Sequence, residues 1–161
     1  MQIIRDHKKL CAMFHLVNLM GLHSVLDFGG SLARGNMFSR RYWKNSDNHI
    51  DISQTVRLDS FDIFDACKFP VYQQLYHNIY HELDEVMANF YDMATFIDII
   101  PFMETDVFLS LCDLFRSRCS LLVLQLPPET NFPLEELHQL GHCVPTRIVG
   151  YDYMVIWTNR D

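Results

Sequence analysis

The chain has 161 residues, a formal net charge of −7, 49% hydrophobic and 20% charged residues. Such a length predicts one domain, residues 1–161, with one sizeable core, and the composition excludes a disordered chain. The acidic balance excludes broad, nonspecific nucleic-acid binding, which needs positive surface, and DNA is not an expected partner.

No run is long enough to span a membrane. Residues 10–22 follow Lys8 and Lys9 like a secretory leader, but His15 and Asn18 interrupt them and no small-residue cleavage pattern follows. The five cysteines, Cys11, Cys67, Cys112, Cys119 and Cys143, are odd in number and lack Cys-x-x-Cys spacing. They predict free thiols in a reducing compartment, hence a cytoplasmic location.

In chain order, residues 5–20 predict a helix, with Leu10, Met13, Phe14, Val17 and Met20 at three- and four-residue spacing and Gly21 as its stop. Residues 24–28 predict a strand carrying Asp27 near its end. Gly29-Gly30-Ser31 then permits a tight turn in which backbone N–H groups approach a ligand. Residues 32–43 predict a short irregular helix bearing Arg34, Arg40 and Arg41, which either face phosphates or form a solvated basic face. Residues 49–53 predict a second strand, placing Asp51 about 20 residues past the glycine turn, where an acid at a strand tip accepts ribose hydroxyls. The alternative for Asp27 and Asp51 is turn capping.

Residues 54–69 read as a mixed segment. Residues 71–84 predict a helix with Val71, Leu75, Ile79 and Leu83 on one face and His77 and His81 four apart on another. Residues 85–92 read as a third apolar run with Tyr91 and Asp92 at its polar tip, and 93–103 as apolar with a turn near Pro101. Residues 104–118 predict a helix capped by Thr105, with a Val107–Leu111–Leu114 stripe. Residues 120–126 predict a central strand buried on both faces, and 133–140 a short helix ended by Gly141. Residues 146–149 and 151–158 predict a closing antiparallel hairpin. The alternation predicts an α/β, Rossmann-like three-layer sandwich, its mainly parallel sheet ending in that hairpin.

This order resembles the class I S-adenosylmethionine-dependent methyltransferase fold over nearly the whole chain. Residues 25–30 look like that family's first motif, residues 49–53 like its second, and residues 90–92 like the end of its fourth strand, beside the reacting methyl group. The resemblance implies S-adenosylmethionine as cofactor, with Asp27, Phe28, Gly29, Gly30, Ser31, Asp51, Ile52 and Asp92 around it. A narrower resemblance is to the capping methyltransferase-guanylyltransferases of alphavirus-like RNA viruses, on His7, the helix after it, Asp27–Gly30, Arg34, His49 with Arg57-Leu58-Asp59, Cys67 and residues 90–92.

That likeness implies viral RNA capping in a host cytoplasm. His7 would receive guanylate, Arg34 would line the site, and Tyr91 would stack near an acceptor guanine N7, so that a guanine nucleotide or RNA 5′ end is the partner. Two departures stand out: the helix between His7 and Asp27 is short, and Asp59 is followed by Asp62 where the family has arginine. Another acceptor class, or an inactive methyltransferase-like scaffold, fits the same order. A Rossmann oxidoreductase does not, because Gly-x-Gly-x-x-Gly is absent. His49, Cys67, His77 and His81 are suitable zinc ligands by type, but their spacings are long and nonspecific, and exposed histidines with a buried thiol are the favoured reading.

Overall fold

The computed structural model describes residues 20–29, 57–62, 70, 76–97, 99–127, 132–148 and 150–158. The elements are strands β1 (Ser24–Phe28), β2 (Arg57–Phe61) and β3 (Asn78–Tyr80), helix α1 (Leu83–Met87), strand β4 (Tyr91–Phe96), helix α2 (Thr105–Phe115), strand β5 (Cys119–Gln125), helix α3 (Leu134–Leu137), and strands β6 (Gly141–Ile148) and β7 (Tyr151–Thr158). They build one seven-stranded sheet in the order β3-β2-β1-β4-β5-β7-β6. Strands β1 to β5 pair in parallel. Strand β7 runs antiparallel between β5 and β6, so the expected closing hairpin supplies one edge of the sheet.

Pleat alternation divides the sheet chemically. One face sends Leu26, Phe28, Phe61, Ala94, Phe96, Leu122, Leu124, Met154 and Ile156 against Val86, Phe108, Cys112, Phe115 and Leu137 of the helices. Its centre is aromatic. Phe28 stacks on Phe96 at 4.1 Å between centroids and meets Phe61 and Phe115 edge-on at 5.5 and 4.9 Å. The opposite face carries Val25, Asp27, Leu58, Ser60, Met93, Thr95, Leu121 and Val123, which are also buried.

Strands 24–28 and 120–126, the helix within 104–118 and the short helix near 134 agree with the sequence reading, as does the hairpin, whose first strand begins at Gly141 instead of Thr146. Three segments differ. The mixed segment 54–69 contains β2, the direct neighbour of β1. Its Arg-Leu-Asp-Ser-Phe sequence tolerates burial because Asp59 is paired by Arg57 at 2.7 Å and accepts hydrogen bonds from Tyr91 Oη and Asn78 Nδ2. The expected helix 71–84 is broken by β3, which adds to β2 with Asp59 opposite Asn78. The run 85–92 is not a strand ending in Tyr91 and Asp92. Helix α1 occupies its first half, with Asp84 and Glu85 in the favourable first turn, and β4 begins at Tyr91.

Helix α2 also differs in detail. Its N-cap is Glu104, not Thr105. Phe108, Cys112 and Phe115 form the buried stripe, whereas Val107 and Leu114 are exposed. Both stripes have helical spacing, and the one with two phenylalanines completes the aromatic centre around Phe28 and Phe96.

Candidate functional site

In open parallel sheets ligands bind beyond the carboxyl ends of the strands, where the strand order reverses. Here that point lies between β1 and β4, since β1 has β2 on one side and β4 on the other. The chain leaves β1 through Gly29, whose φ of 85° is open to glycine and costly for other residues. The Gly29 N–H donates to Phe61 O at 2.8 Å, fastening the turn to the end of β2.

Just before this turn sits Asp27, fully buried. Tyr76 Oη donates to its Oδ2 at 2.7 Å, and Thr95 Oγ1 donates to its Oδ1 at 3.0 Å. Ser60, Asp27 and Thr95 are register partners on β2, β1 and β4, so a buried polar row crosses these three adjacent strands near their carboxyl ends. A second buried acid, Asp62, follows β2 directly. Its N–H donates to Tyr80 O at 2.8 Å, and its carboxylate lies 4.0 Å from His81 Nδ1. The glycine turn and both acids therefore share one end of the sheet.

The opposite end holds a different network. Tyr91 is fully buried, and its Oη donates to Asp59 Oδ2 at 2.6 Å. Arg57 pairs with the same oxygen, lies over the Tyr91 ring at 5.6 Å and donates to Tyr80 Oη and Asn89 Oδ1. Burial, then the hydrogen bond to Asp59, pushes the Tyr91 hydroxyl far above the ordinary tyrosine range. Burial by itself would lower the Arg57 pKa, but the hydrogen bond and charge of Asp59 outweigh it and the net shift is upward. Asp92 Oδ2 accepts the backbone N–H groups of His23 and Ser24 at 2.7 and 3.2 Å, and the Asp92 N–H donates to Ser24 Oγ at 2.9 Å. Asp92 thus ties the start of β4 to the start of β1.

Among the site residues expected from sequence, Asp27 and Gly29 come together at the carboxyl end of β1. Phe28 lies between them but points into the aromatic core. Tyr91 and Asp92 stand at the opening of β4, roughly 17 Å of strand from its far end. They are joined there to Asp59 and to the backbone of β1, and not to the glycine turn. His7, Gly30, Ser31, Arg34, His49, Asp51, Ile52 and Cys67 lie outside the described residues.

The zinc set is not supported. His77 and His81 flank β3, about 13 Å apart along an extended chain, instead of sharing a helix face. His77 Nδ1 is engaged by the Leu58 backbone N–H at 3.0 Å. Among the described residues no group of three or more His, Cys, Asp or Glu could hold a metal ion. Sequence reasoning overlooked Tyr76, Thr95 and Asp62. Only Asp62 carried a local signal, an acid directly after the Leu58–Phe61 run.

No family model and no curated protein matches the sequence. Solved structures match the fold. The 16S rRNA methylase ArmA is 16% identical and is matched over 93% of this chain and 82% of its own, with a TM-score of 0.60. The methyltransferase domain of bacterial CtHen1 is 10% identical over 96% of this chain and 99% of its own, with a TM-score of 0.64. The magnesium protoporphyrin IX methyltransferase ChlM of Synechocystis PCC 6803, solved with bound S-adenosylmethionine, is 14% identical over 99% and 82%, with a TM-score of 0.58. At these identities the likeness establishes the fold, which is that of the class I methyltransferases. The acceptors named for ArmA and ChlM, a ribosomal RNA and a porphyrin, differ from each other.

Proposed function

We propose that the protein is an S-adenosylmethionine-dependent methyltransferase. The observation that carries this reading is the pairing of a positive-φ glycine turn with two buried acids, Asp27 and Asp62, at the strand-order switch of this fold. In this reading Gly29, with Gly30 and Ser31 next to it in sequence, receives the methionine moiety, and Asp27 accepts its α-ammonium. Asp62 is the acid for the ribose hydroxyls, because it follows the strand that lies beside β1. Asp51 is the alternative from the sequence pattern. An acid-lined site suits a cofactor that carries a sulfonium and an ammonium.

Methyl transfer is an in-line displacement at the methyl carbon of a sulfonium, with sulfur as the leaving group. The acceptor's lone pair attacks the methyl carbon as the carbon–sulfonium bond breaks, and S-adenosylhomocysteine leaves. Positioning supplies most of the acceleration, so no catalytic triad is needed. For the acceptor we favour guanine N7, in a nucleotide or at an RNA 5′ end. It needs no proton removed before attack. His7 and Arg34 support this choice by their resemblance to capping enzymes, with His7 as the candidate for guanylyl transfer. Tyr91 has no part in it, being buried at the other end of the sheet.

Calorimetric titration with S-adenosylmethionine and S-adenosylhomocysteine tests the cofactor reading. Micromolar binding, lost in Asp62→Ala, is expected. Transfer of labelled methyl to GTP or to capped RNA then tests the acceptor. A folded sample that binds neither compound would leave a methyltransferase-like scaffold.

A further inference from the structure

We propose that the groove between helices α1 and α2 is a docking site for a basic amphipathic helix of a partner protein. The groove is open, about 350 Å³ in volume, and lined by Leu83 of α1 and by Asp106, Val107, Ser110, Leu111 and Leu114 of α2. Leu83 and Leu111 lie half-buried against the core, whereas Val107 and Leu114 are 52% and 38% exposed.

Helix α2 carries two apolar stripes at helical spacing. Phe108, Cys112 and Phe115 form the one that faces the core. Val107, Leu111 and Leu114, at i, i+4 and i+7, form the other. One apolar stripe is enough to hold a surface helix on its sheet. The second stripe, with Leu83 across from it, is the surface that the apolar side of an incoming helix fills when it lies lengthwise in a groove. A small molecule is a poor match, because such ligands are buried over about 70% or more of their surface, and this groove is open.

Charge selects the occupant. Glu82, Asp84 and Glu85 at the start of α1 and Glu104 and Asp106 at the start of α2 are all exposed. No lysine or arginine occurs from residue 82 to residue 115. The first arginine after that run, Arg116, pairs with Asp113 at 3.0 Å. Two copies of this face would oppose acid to acid, and RNA or an anionic lipid surface would be repelled in the same way. A helix with lysine or arginine beside its apolar stripe meets both features, the apolar groove and the acids around it.

Two labelled helical peptides test this. Both carry leucine at i, i+3, i+4 and i+7 on an alanine background, one with lysines flanking the stripe and its twin with glutamates. Fluorescence anisotropy reads their binding to the wild-type chain, to the double variant Val107→Ser/Leu114→Ser, to Asp106→Lys, and to Val144→Ser, a control on β6 as exposed as Leu114. Thermal melts check that each variant is folded. The lysine peptide is expected to bind at least about tenfold more tightly than its twin, to lose about tenfold or more in the double variant, and to weaken severalfold in Asp106→Lys and at high salt. Val144→Ser leaves both affinities unchanged. Failure of the lysine peptide to bind, equal binding of the twins, or undiminished binding to the folded double variant or to Asp106→Lys overturns the proposal. So does sedimentation of the wild-type chain as a dimer that the double variant dissociates, which would assign the groove to a second copy.

Discussion

Tyr91→Phe separates the two ends of the sheet. The substitution deletes one hydroxyl that donates at 2.6 Å to Asp59, and both residues are fully buried. A hydrogen bond to a charged group contributes about 1.5–3 kcal/mol. Here Asp59 keeps Arg57 on the same oxygen and Asn78 on the other. The Arg57 side chain is 40% exposed and partly screened, so it compensates only in part. The lower half of the range follows, about 1.5–2 kcal/mol, or a fall in Tm of roughly 3–8 °C for a chain of this size.

The same bond has a pH signature. Tyr91 is raised in the folded state, so its stabilisation is complete below the unfolded tyrosine pKa of about 10 and is lost as pH rises above that value. Wild-type stability should therefore fall above about pH 10 more steeply than that of Tyr91→Phe. Urea denaturation across pH, with S-adenosylhomocysteine titration at neutral pH, measures both effects. The reasoning is refuted if Tyr91→Phe keeps its stability but binds the cofactor product more weakly, because Tyr91 would then belong to the site and not to the far end of the sheet.

Two further perturbations probe the fold. A Cβ at Gly141 would lie 2.0 Å from the Trp157 carbonyl oxygen, which is backbone and cannot swing aside. Gly141→Ala should cost about 1–3 kcal/mol by forcing β6 from β7, and an unchanged urea midpoint would refute that close approach. Cys112 is buried, and desolvation holds its thiol well above the ordinary cysteine range. Iodoacetamide at mildly alkaline pH should leave Cys112 unmodified in the native protein and modify it in urea. Peptide mapping reads the difference, and equal native labelling would contradict its burial.

The parts of the fold legible in sequence are those whose stability is local. β5 announces itself as an apolar run, β1 as a short apolar run closed by glycine, and the hairpin as two β-rich segments around Gly150. β2 was illegible because its central acid is satisfied from a distance. The Asp59 partners Asn78 and Tyr91 lie 19 and 32 residues further along. The place of Tyr91 at the opening of β4 is illegible for the same reason. A Tyr-Asp pair beside an apolar run reads equally as a strand's end or its beginning, and only the bonds from Tyr91 to Asp59 and from Asp92 to the start of β1 choose the beginning. Asp27 was legible from the adjoining glycines, whereas Tyr76 and Thr95 reach it over 49 and 68 residues.

The ribose acid is where these two kinds of legibility compete. Sequence spacing selects Asp51, about 20 residues past the glycine turn. Sheet order selects Asp62, since the strand paired with β1 runs from Arg57 to Phe61 and the chain passes directly into Asp62. Strand adjacency is the physical requirement, because a ribose held between two strand tips needs its acid on the strand next to the glycine turn. Spacing only approximates this when the intervening segment has its usual length. The Gly29 N–H bond to Phe61 O makes the adjacency direct. Two ribose hydroxyls donating to one carboxylate are worth about 1.5–3 kcal/mol each, so Asp62→Ala should weaken S-adenosylhomocysteine binding by two orders of magnitude or more, and Asp51→Ala by less than about threefold. Titration of both variants decides the matter, and a large loss in Asp51→Ala with none in Asp62→Ala would refute the assignment by strand order.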